Sequence, residues 1–315
     1  MRVIITGQRD PSTWSLSYVS AVLDALQSRG HEAEFVGTYG AEYGDDSVAA
    51  AVSRVLARDP DVVLASMTED IVPYHLAKEG VCVVAHHHGG PEGHSLVNLA
   101  APNDFLAWAL HEYNEVMVNT ESSRHEVAEA YGVAAIVVGF PIRSPPASGA
   151  SKDIVLVPGR LGGSKQTMLA AEALVPWAGK VVFSTAEAPT PRLESYKRAL
   201  ERLGYACKLS CRGADYDLLL SRAAVVVSTS LSETLGTACY EACLAGAVGV
   251  FPSLGVFREL YKGPFYLPYS VASIQHRVGD ALWVRVGSKP RNPRWYTPKA
   301  VTGRIIKLLE DCHAG

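Results

Sequence analysis

The sequence predicts an α/β protein of two doubly wound, Rossmann-like domains facing a cleft, and three observations predict it. Strand-like runs such as VII in VIIT (3–6) and AAVVV in AAVVVS (223–228) are continuously apolar instead of alternating, the pattern of parallel strands buried on both faces. They take turns with segments of helical period. A stretch of Pro, Ser, Ala and Gly, PIRSPPASGASK from Pro141 to Lys152, interrupts this rhythm mid-chain, after which it restarts. With 315 residues, 48% of them hydrophobic, the chain is too long for one small core. The expected division is a domain over 1–144, a second over 152–295 and a final helical segment over 296–315.

In chain order, Arg2 to Thr6 reads as a short buried strand and Trp14 to Ser28 as a helix ended by Arg29, Gly30 and His31. Glu32 to Gly37 is a strand, Ser47 to Arg58 a helix, Asp61 to Ala65 a strand and Ile71 to Glu79 a helix. Val81 to Ala85 is a strand leading into HHHGGPEGH. A helix around Asp104 to His111, a strand at Val116 to Asn119, a helix at Ser122 to Tyr131 and a strand at Ala135 to Val138 complete the first half. The second half opens with a strand at Ile154 to Val157, then PGRLGGSKQT and a helix over Gln166 to Leu174. Strands at Val181 to Ser184, Ala206 to Leu209, 223–228 and Ala247 to Phe251 follow, and the last helix is Pro298 to Cys312.

Composition excludes several classes. No stretch reaches the length of a membrane span, and the start, MRVIITGQRDP, holds only a short apolar run before polar residues. Neither a signal peptide nor a transmembrane anchor is read there, so the cytoplasm is expected. The six cysteines (82, 207, 211, 239, 243, 312) never form a C-x-x-C pair. Two pairs are spaced by four, which on helices is same-face packing, so reduced structural thiols are expected rather than a zinc site.

The most informative stretch runs from Ser230 to Pro252, SLSETLGTACYEACLAGAVGVFP, where seven residues separate Glu233 from Glu241. A helix starting near Thr234 would place Glu233 in the preceding loop and Glu241 about two turns in. Ser232, Thr234, Leu235 and the permissive Gly236 would then present first-turn N–H groups to an anion, favoured by the helix dipole. A pair of solvated glutamates on an amphipathic helix is the plainer alternative. Some 70 residues upstream, Arg160 and Lys165 lie five apart around Gly162 and Gly163, just after Gly159 at the end of a strand. Two cations and free N–H groups there can converge on a diphosphate.

With both motifs present, the chain resembles the retaining GT-B glycosyltransferases of the large family four. Their nucleotide-sugar site carries a glutamate, seven residues, then a glutamate, and SYVSAVLDALQSRGHEAEFVG and VNTESSRHEVAEAYGV resemble two of their amino-terminal segments. The resemblance implies the GT-B architecture, with the last helix crossing back to the first domain. It implies that Arg160 and Lys165 clamp the donor diphosphate, that Glu241 binds the ribose diol, and that Glu233 binds hydroxyls of the transferred sugar. The backbone of Thr234 to Gly236 would lie nearby.

His86, His87 and His88 leave a strand, so alternate rings face opposite ways. A metal site with a third ligand such as His94, a structural set, and a contact to donor or acceptor are the competing readings. The family often places a histidine at this strand end beside the reacting sugar; His88, before Gly89 and Gly90, is the best match and His86 the second. The loop after the first strand, TGQRDPSTWS, departs from the paired glycines of many members. It keeps only Gly7 for a donor contact, and Arg9, Asp10 and Trp14 become candidates for acceptor choice.

Charge is divided unevenly. Through Ser144 there are 8 Lys plus Arg against 19 Asp plus Glu, and after it 21 against 13. In the family it resembles, the acceptor binds chiefly to the first domain, so an acidic one argues against anionic lipid and towards a neutral or cationic soluble acceptor. Yet residues 285–307 carry seven basic side chains and no acidic one, interleaved with Trp295 and Tyr296 just after Trp283, a composition that also suits DNA. The expectation is therefore a metal-independent retaining glycosyltransferase with no cofactor, using a UDP-sugar on a soluble acceptor. A DNA glycosyltransferase acting on hydroxymethylated bases, a GT-B epimerase or hydrolase, and a non-catalytic nucleotide-sugar binder are the alternatives.

Overall fold

A computed structural model describes residues 1–8, 13–39, 48–68, 70–88, 103–145 and 150–314. The chain forms two compact units, Met1–Pro141 with Arg294–Gly315, and Ile142–Pro293.

Unit 1 is built on a six-stranded parallel sheet of β1 (Arg2–Gln8), β2 (Glu32–Tyr39), β3 (Val62–Ala65), β4 (Val83–His87), β5 (Glu115–Val118) and β6 (Ile136–Val137). The spatial order is β2-β1-β3-β4-β5-β6, with every pairing parallel. Every residue of β3 and β4 is buried, so polar alternation has no place in them. The expected strand at Val81 to Ala85 is displaced two residues onward. His86 and His87 pair with Met117 and Val118 of β5 and belong to the sheet.

Side-chain caps set several helix starts. Asp70 accepts from Val72 N–H at the helix Ile71–Lys78, and Thr120 accepts from Ser123 N–H at the helix Glu121–Tyr131, which ends on Gly132 at φ 68°. The C-terminal helix Pro298–Ala314 packs on the helix Thr13–Ser28 and on β3, burying Val301, Ile305, Ile306 and Leu309. Each such side chain contributes about 1.5–3 kcal/mol of burial. The Arg304 guanidinium lies 3.7 Å from the Trp295 ring centroid and donates to the Val138 carbonyl. A disulfide joins Cys82 to Cys312 across a sequence separation of 230, which corrects the expectation of six reduced thiols. Spacing along the chain carries no information about a partner that far away. The other four cysteines are free and buried.

Unit 2 has a five-stranded parallel sheet of β7 (Ile154–Pro158), β8 (Val181–Ser184), β9 (Ala206–Lys208), β10 (Ala223–Val227) and β11 (Val248–Val250), in the order β11-β10-β7-β8-β9. The chain winds outward from β7 to β9, then returns to the other side of β7 for β10 and β11. The junction of β7 and β10 is thus the point where the winding reverses, and in such sheets ligands bind outside the carboxyl ends of the strands at that point. Val155, Val157, Phe183, Val225, Val227 and Val250 are among the sheet residues of one core cluster, which Ala170 and Leu174 join from the helix Thr167–Leu174 and Ile274, Val278 and Ala281 from the helix Val271–Trp283.

The helix expected from Thr234 starts three residues later, at Thr237. Gly236 caps it at φ 67° and ψ 50°, a left-handed conformation that ends the preceding turn and that a side chain would strain. Glu241 therefore lies little more than one turn into the helix Thr237–Leu244. Among the described residues, no helix is long and apolar enough to cross a membrane.

Candidate functional site

The loop after β7 leaves the sheet through Gly159, whose φ of +129° is open to glycine and whose N–H donates to Ser184 O at 2.9 Å. Arg160 follows, exposed. Gly162 N–H donates to Thr167 Oγ1 at 2.9 Å, and Gln166, at φ 48°, turns the chain into the helix Thr167–Leu174. These bends bring Lys165 over the neighbouring strand end.

The loop after β10 is tied to the first one. Thr229 Oγ1 donates to Lys165 O at 2.8 Å, and Leu231 N–H donates to Ser164 O at 3.4 Å. Ser230 Oγ donates to Ser232 O at 2.8 Å, holding the turn that presents Glu233. Lys165 Nζ then donates to Glu233 Oε1 at 2.5 Å and to Ser230 Oγ at 3.2 Å. The two side chains are 19% and 17% exposed, so the pair is sheltered yet reachable. Gly159, Arg160, Lys165, Thr167, Ser228 and Thr229 line a depression at these strand ends, on the β7 and β10 junction. Thr234 and Gly236 are half-buried between Glu233 and the helix, whereas Leu235 is buried and its side chain belongs to the core.

Glu241 faces a different set of groups. It is 6% exposed, and both carboxylate oxygens are engaged: Arg143 Nε donates to Oε1 at 3.2 Å and Tyr216 O–H to Oε2 at 2.8 Å. Arg143 also donates to Asp217 Oδ1 at 2.5 Å and lies 5.4 Å from the Tyr216 ring centroid. Burial pushes the Glu241 carboxyl above its ordinary value, while the Tyr216 hydrogen bond and the Arg143 charge pull it back. Burial, with the negative charge of Glu241, raises the Tyr216 phenol well above its ordinary value, so it stays a donor. The sequence reading missed Arg143, Tyr216 and Asp217. Arg143 lies in the proline-rich stretch read as a linker, and no local pattern marks it as a carboxylate partner.

In unit 1 the histidines separate by role. His86 is fully buried; Asn119 Oδ1 accepts from its Nε2–H at 3.0 Å and Tyr18 O–H donates to its Nδ1 at 2.8 Å. His86, the second candidate for a contact to the acceptor, has both ring nitrogens serving the interior. Burial holds this imidazole well below the usual histidine range, with the neighbouring His88 acting in the same direction. His87 is also buried, with Nδ1 2.8 Å from Thr68 Oγ1. His88 is half-buried, its ring centroid 5.0 Å from that of Tyr18 and 5.6 Å from that of Phe140. Gly7 has a structural reason of its own: a Cβ there would run into the Ser66 hydroxyl, which donates to Thr6 O. Arg9, Asp10, Gly89, Gly90 and His94 lie outside the described residues, as does the Trp14 side chain. Among the described residues, no group of three His, Cys, Asp or Glu side chains is placed to hold a metal ion.

Two parallel sheets, each doubly wound about a switch point, place the chain in the GT-B fold class. No protein-family model matches it and no curated protein matches it in sequence. Solved structures do match in fold. HepE from Anabaena, in complex with UDP and glucose, is 17% identical with a TM-score of 0.75, the match covering 99% of this chain and 100% of that one. An α,α-trehalose-phosphate synthase (UDP-forming) from Burkholderia vietnamiensis is 14% identical at a TM-score of 0.68, covering 98% and 99%. The sucrose-phosphate synthase of Thermosynechococcus elongatus is 13% identical at 0.72, covering 100% and 97%.

Proposed function

We propose that this chain is a retaining glycosyltransferase of the family-four type, moving a sugar from a UDP-sugar to a hydroxyl of a soluble acceptor. The observation that carries the reading is the meeting of Lys165 and Glu233 at the β7 and β10 strand ends, on loops hydrogen-bonded to each other, with Glu241 on the helix that follows. A ligand carrying a diphosphate next to polyhydroxylated groups fits this alternation of cations and carboxylates. HepE, similar in fold, was solved with UDP-glucose, which supports uridine as the base.

In this reading Arg160 and Lys165 hold the diphosphate, Glu241 accepts from the ribose diol and Glu233 from the sugar hydroxyls. The bond from the anomeric carbon to the phosphate oxygen breaks while the acceptor oxygen bonds to the same face of the sugar. The acceptor proton passes to an oxygen of the leaving diphosphate. Charge growing on that diphosphate is stabilised by Arg160 and Lys165, so no protein nucleophile takes part and a divalent cation is not needed.

The acceptor is read as small. In the basic segment, Arg285 donates to Ala224 O, Arg291 to Tyr261 O and Arg304 to Val138 O, while Lys307 pairs with Asp311. These donors serve the protein's own carbonyls and a carboxylate, which disfavours the DNA reading. The test is incubation with UDP-glucose and other UDP-sugars, in chelator, against a panel of small hydroxylated acceptors and hydroxymethylated DNA. UDP release with a product of retained anomeric configuration is expected. UDP release without a glycosylated product would point to a hydrolase, and an inverted product would overturn the mechanism.

A further inference from the structure

The cluster of Arg143, Tyr216 and Asp217 around Glu241 has no part in the reaction just described, and its geometry suggests one. We propose that Arg143 and Tyr216 are positioning residues for the nucleotide ribose, fixing the Glu241 carboxylate so that one acceptor site on each oxygen is left for a vicinal diol. The inference rests on the reading of Glu241 as the ribose-binding group.

A carboxylate offers about four acceptor positions, two on each oxygen. Arg143 Nε uses one on Oε1 and Tyr216 O–H uses one on Oε2. The division is even, so each oxygen can still accept one hydroxyl, and two adjacent hydroxyls on a five-membered sugar match two adjacent oxygens. Were both donors on the same oxygen, that oxygen would be saturated and only one hydroxyl could be read with full strength.

Orientation is set from outside the helix that carries Glu241. Asp217 Oδ1 accepts from Arg143 at 2.5 Å, holding the far end of the guanidinium while Nε points at Glu241. The Tyr216 ring lies 5.4 Å from the guanidinium carbon, so phenol and cation brace each other. Tyr216 and Asp217 are neighbours on the helix Gly213–Arg222, whereas Arg143 comes from the segment that begins unit 2 at Ile142. Two separate pieces of chain therefore converge on a carboxylate carried by a third.

Charge matters as much as direction. At 6% exposure a lone carboxyl would favour its neutral form, which gives up an acceptor position to its own proton. The groups facing Glu241 are Arg143 and Tyr216, which favour the ionised form, and Asp217, which opposes it. Removing Arg143 leaves Asp217 uncompensated, so Glu241 ionises only at higher pH and diol binding is lost from the acid side.

The full chain would be titrated calorimetrically with UDP and with 2′,3′-dideoxy-UDP between pH 5.5 and 8, using the parent, Arg143→Met, Arg143→Lys and Tyr216→Phe. The parent should prefer UDP. In Arg143→Met, UDP affinity at pH 7 should fall about tenfold to a hundredfold, the range for a hydrogen bond to a charged group, with dideoxy-UDP unchanged. Its loss of UDP affinity on acidification should also set in at higher pH. Tyr216→Phe should lose part of the preference, and Arg143→Lys should keep the parent's pH profile better than Arg143→Met. Equal weakening of both ligands in Arg143→Met, or no change in either, would overturn the positioning role while leaving Glu241 as the ribose group. A parent that binds UDP and dideoxy-UDP alike, or neither, would overturn the ribose assignment and the inference with it.

Discussion

The Lys165 and Glu233 pair predicts a separation of stability from activity. The perturbation is a cycle of Lys165→Met, Glu233→Gln and the double variant. Removing one partner of a fully buried ion pair costs about 3–5 kcal/mol, and exposed pairs are worth about 0–1 kcal/mol. With side chains 19% and 17% exposed, and Glu233 left facing an uncharged thioether, Lys165→Met should cost about 2 kcal/mol. For a unit of this size that lowers Tm by about 4–8 °C. Glu233→Gln should cost less, about 1 kcal/mol, because Lys165 keeps Ser230 and can reach water. The double variant leaves no unpaired charge and should return to within about 1 kcal/mol of the parent. Transfer should behave otherwise: the loss of Lys165 removes charge stabilisation of the leaving diphosphate and should lower kcat about 10²–10³-fold, with no recovery in the double variant. Thermal unfolding gives the first quantity and initial rates of UDP release give the second. Additive stability effects would show that the pair is not coupled in solution, and activity returning with stability would show that Lys165 only supports the fold.

Two further predictions concern unit 1. The buried His86 imidazole is held well below its ordinary value, so the unfolded chain binds a proton that the folded one refuses. Its contribution is present above the unfolded pKa of about 6.5 and is lost as pH falls from there, at up to about 1.4 kcal/mol per pH unit. Tm measured from pH 7.5 down to 5 should fall more steeply for the parent than for His86→Gln; identical slopes would place the acid sensitivity elsewhere. The Cys82–Cys312 disulfide closes a very long loop, and Cys312→Ser should cost about 2–4 kcal/mol. A non-reducing peptide map should show the linked peptides, and finding both thiols free would refute the pairing.

The sequence by itself determined the fold class. Runs such as VVLA at Val62–Ala65 and AAVVV at Ala223–Val227 are apolar at every position, and only strands covered on both faces require that. Helix starts were legible where a cap is a local matter, as at Thr120 just before the helix read from Ser122, and less so at Gly236, where a left-handed residue delays the helix to Thr237. The spacing of Glu233 and Glu241 and the pair Arg160 and Lys165 could be read because each lies within one short segment. What touches what could not. That Lys165 meets Glu233, 68 residues on, follows from β7 and β10 being neighbours, which is a property of strand order and not of either segment. Only the tertiary structure decided that His86 turns inward to Tyr18 and Asn119, that Cys82 finds Cys312, and that Arg143 closes on Glu241 from 98 residues away. Propensity and periodicity act over a few residues, whereas a buried carboxylate or imidazole draws its partners from whatever segments packing brings within about 3 Å.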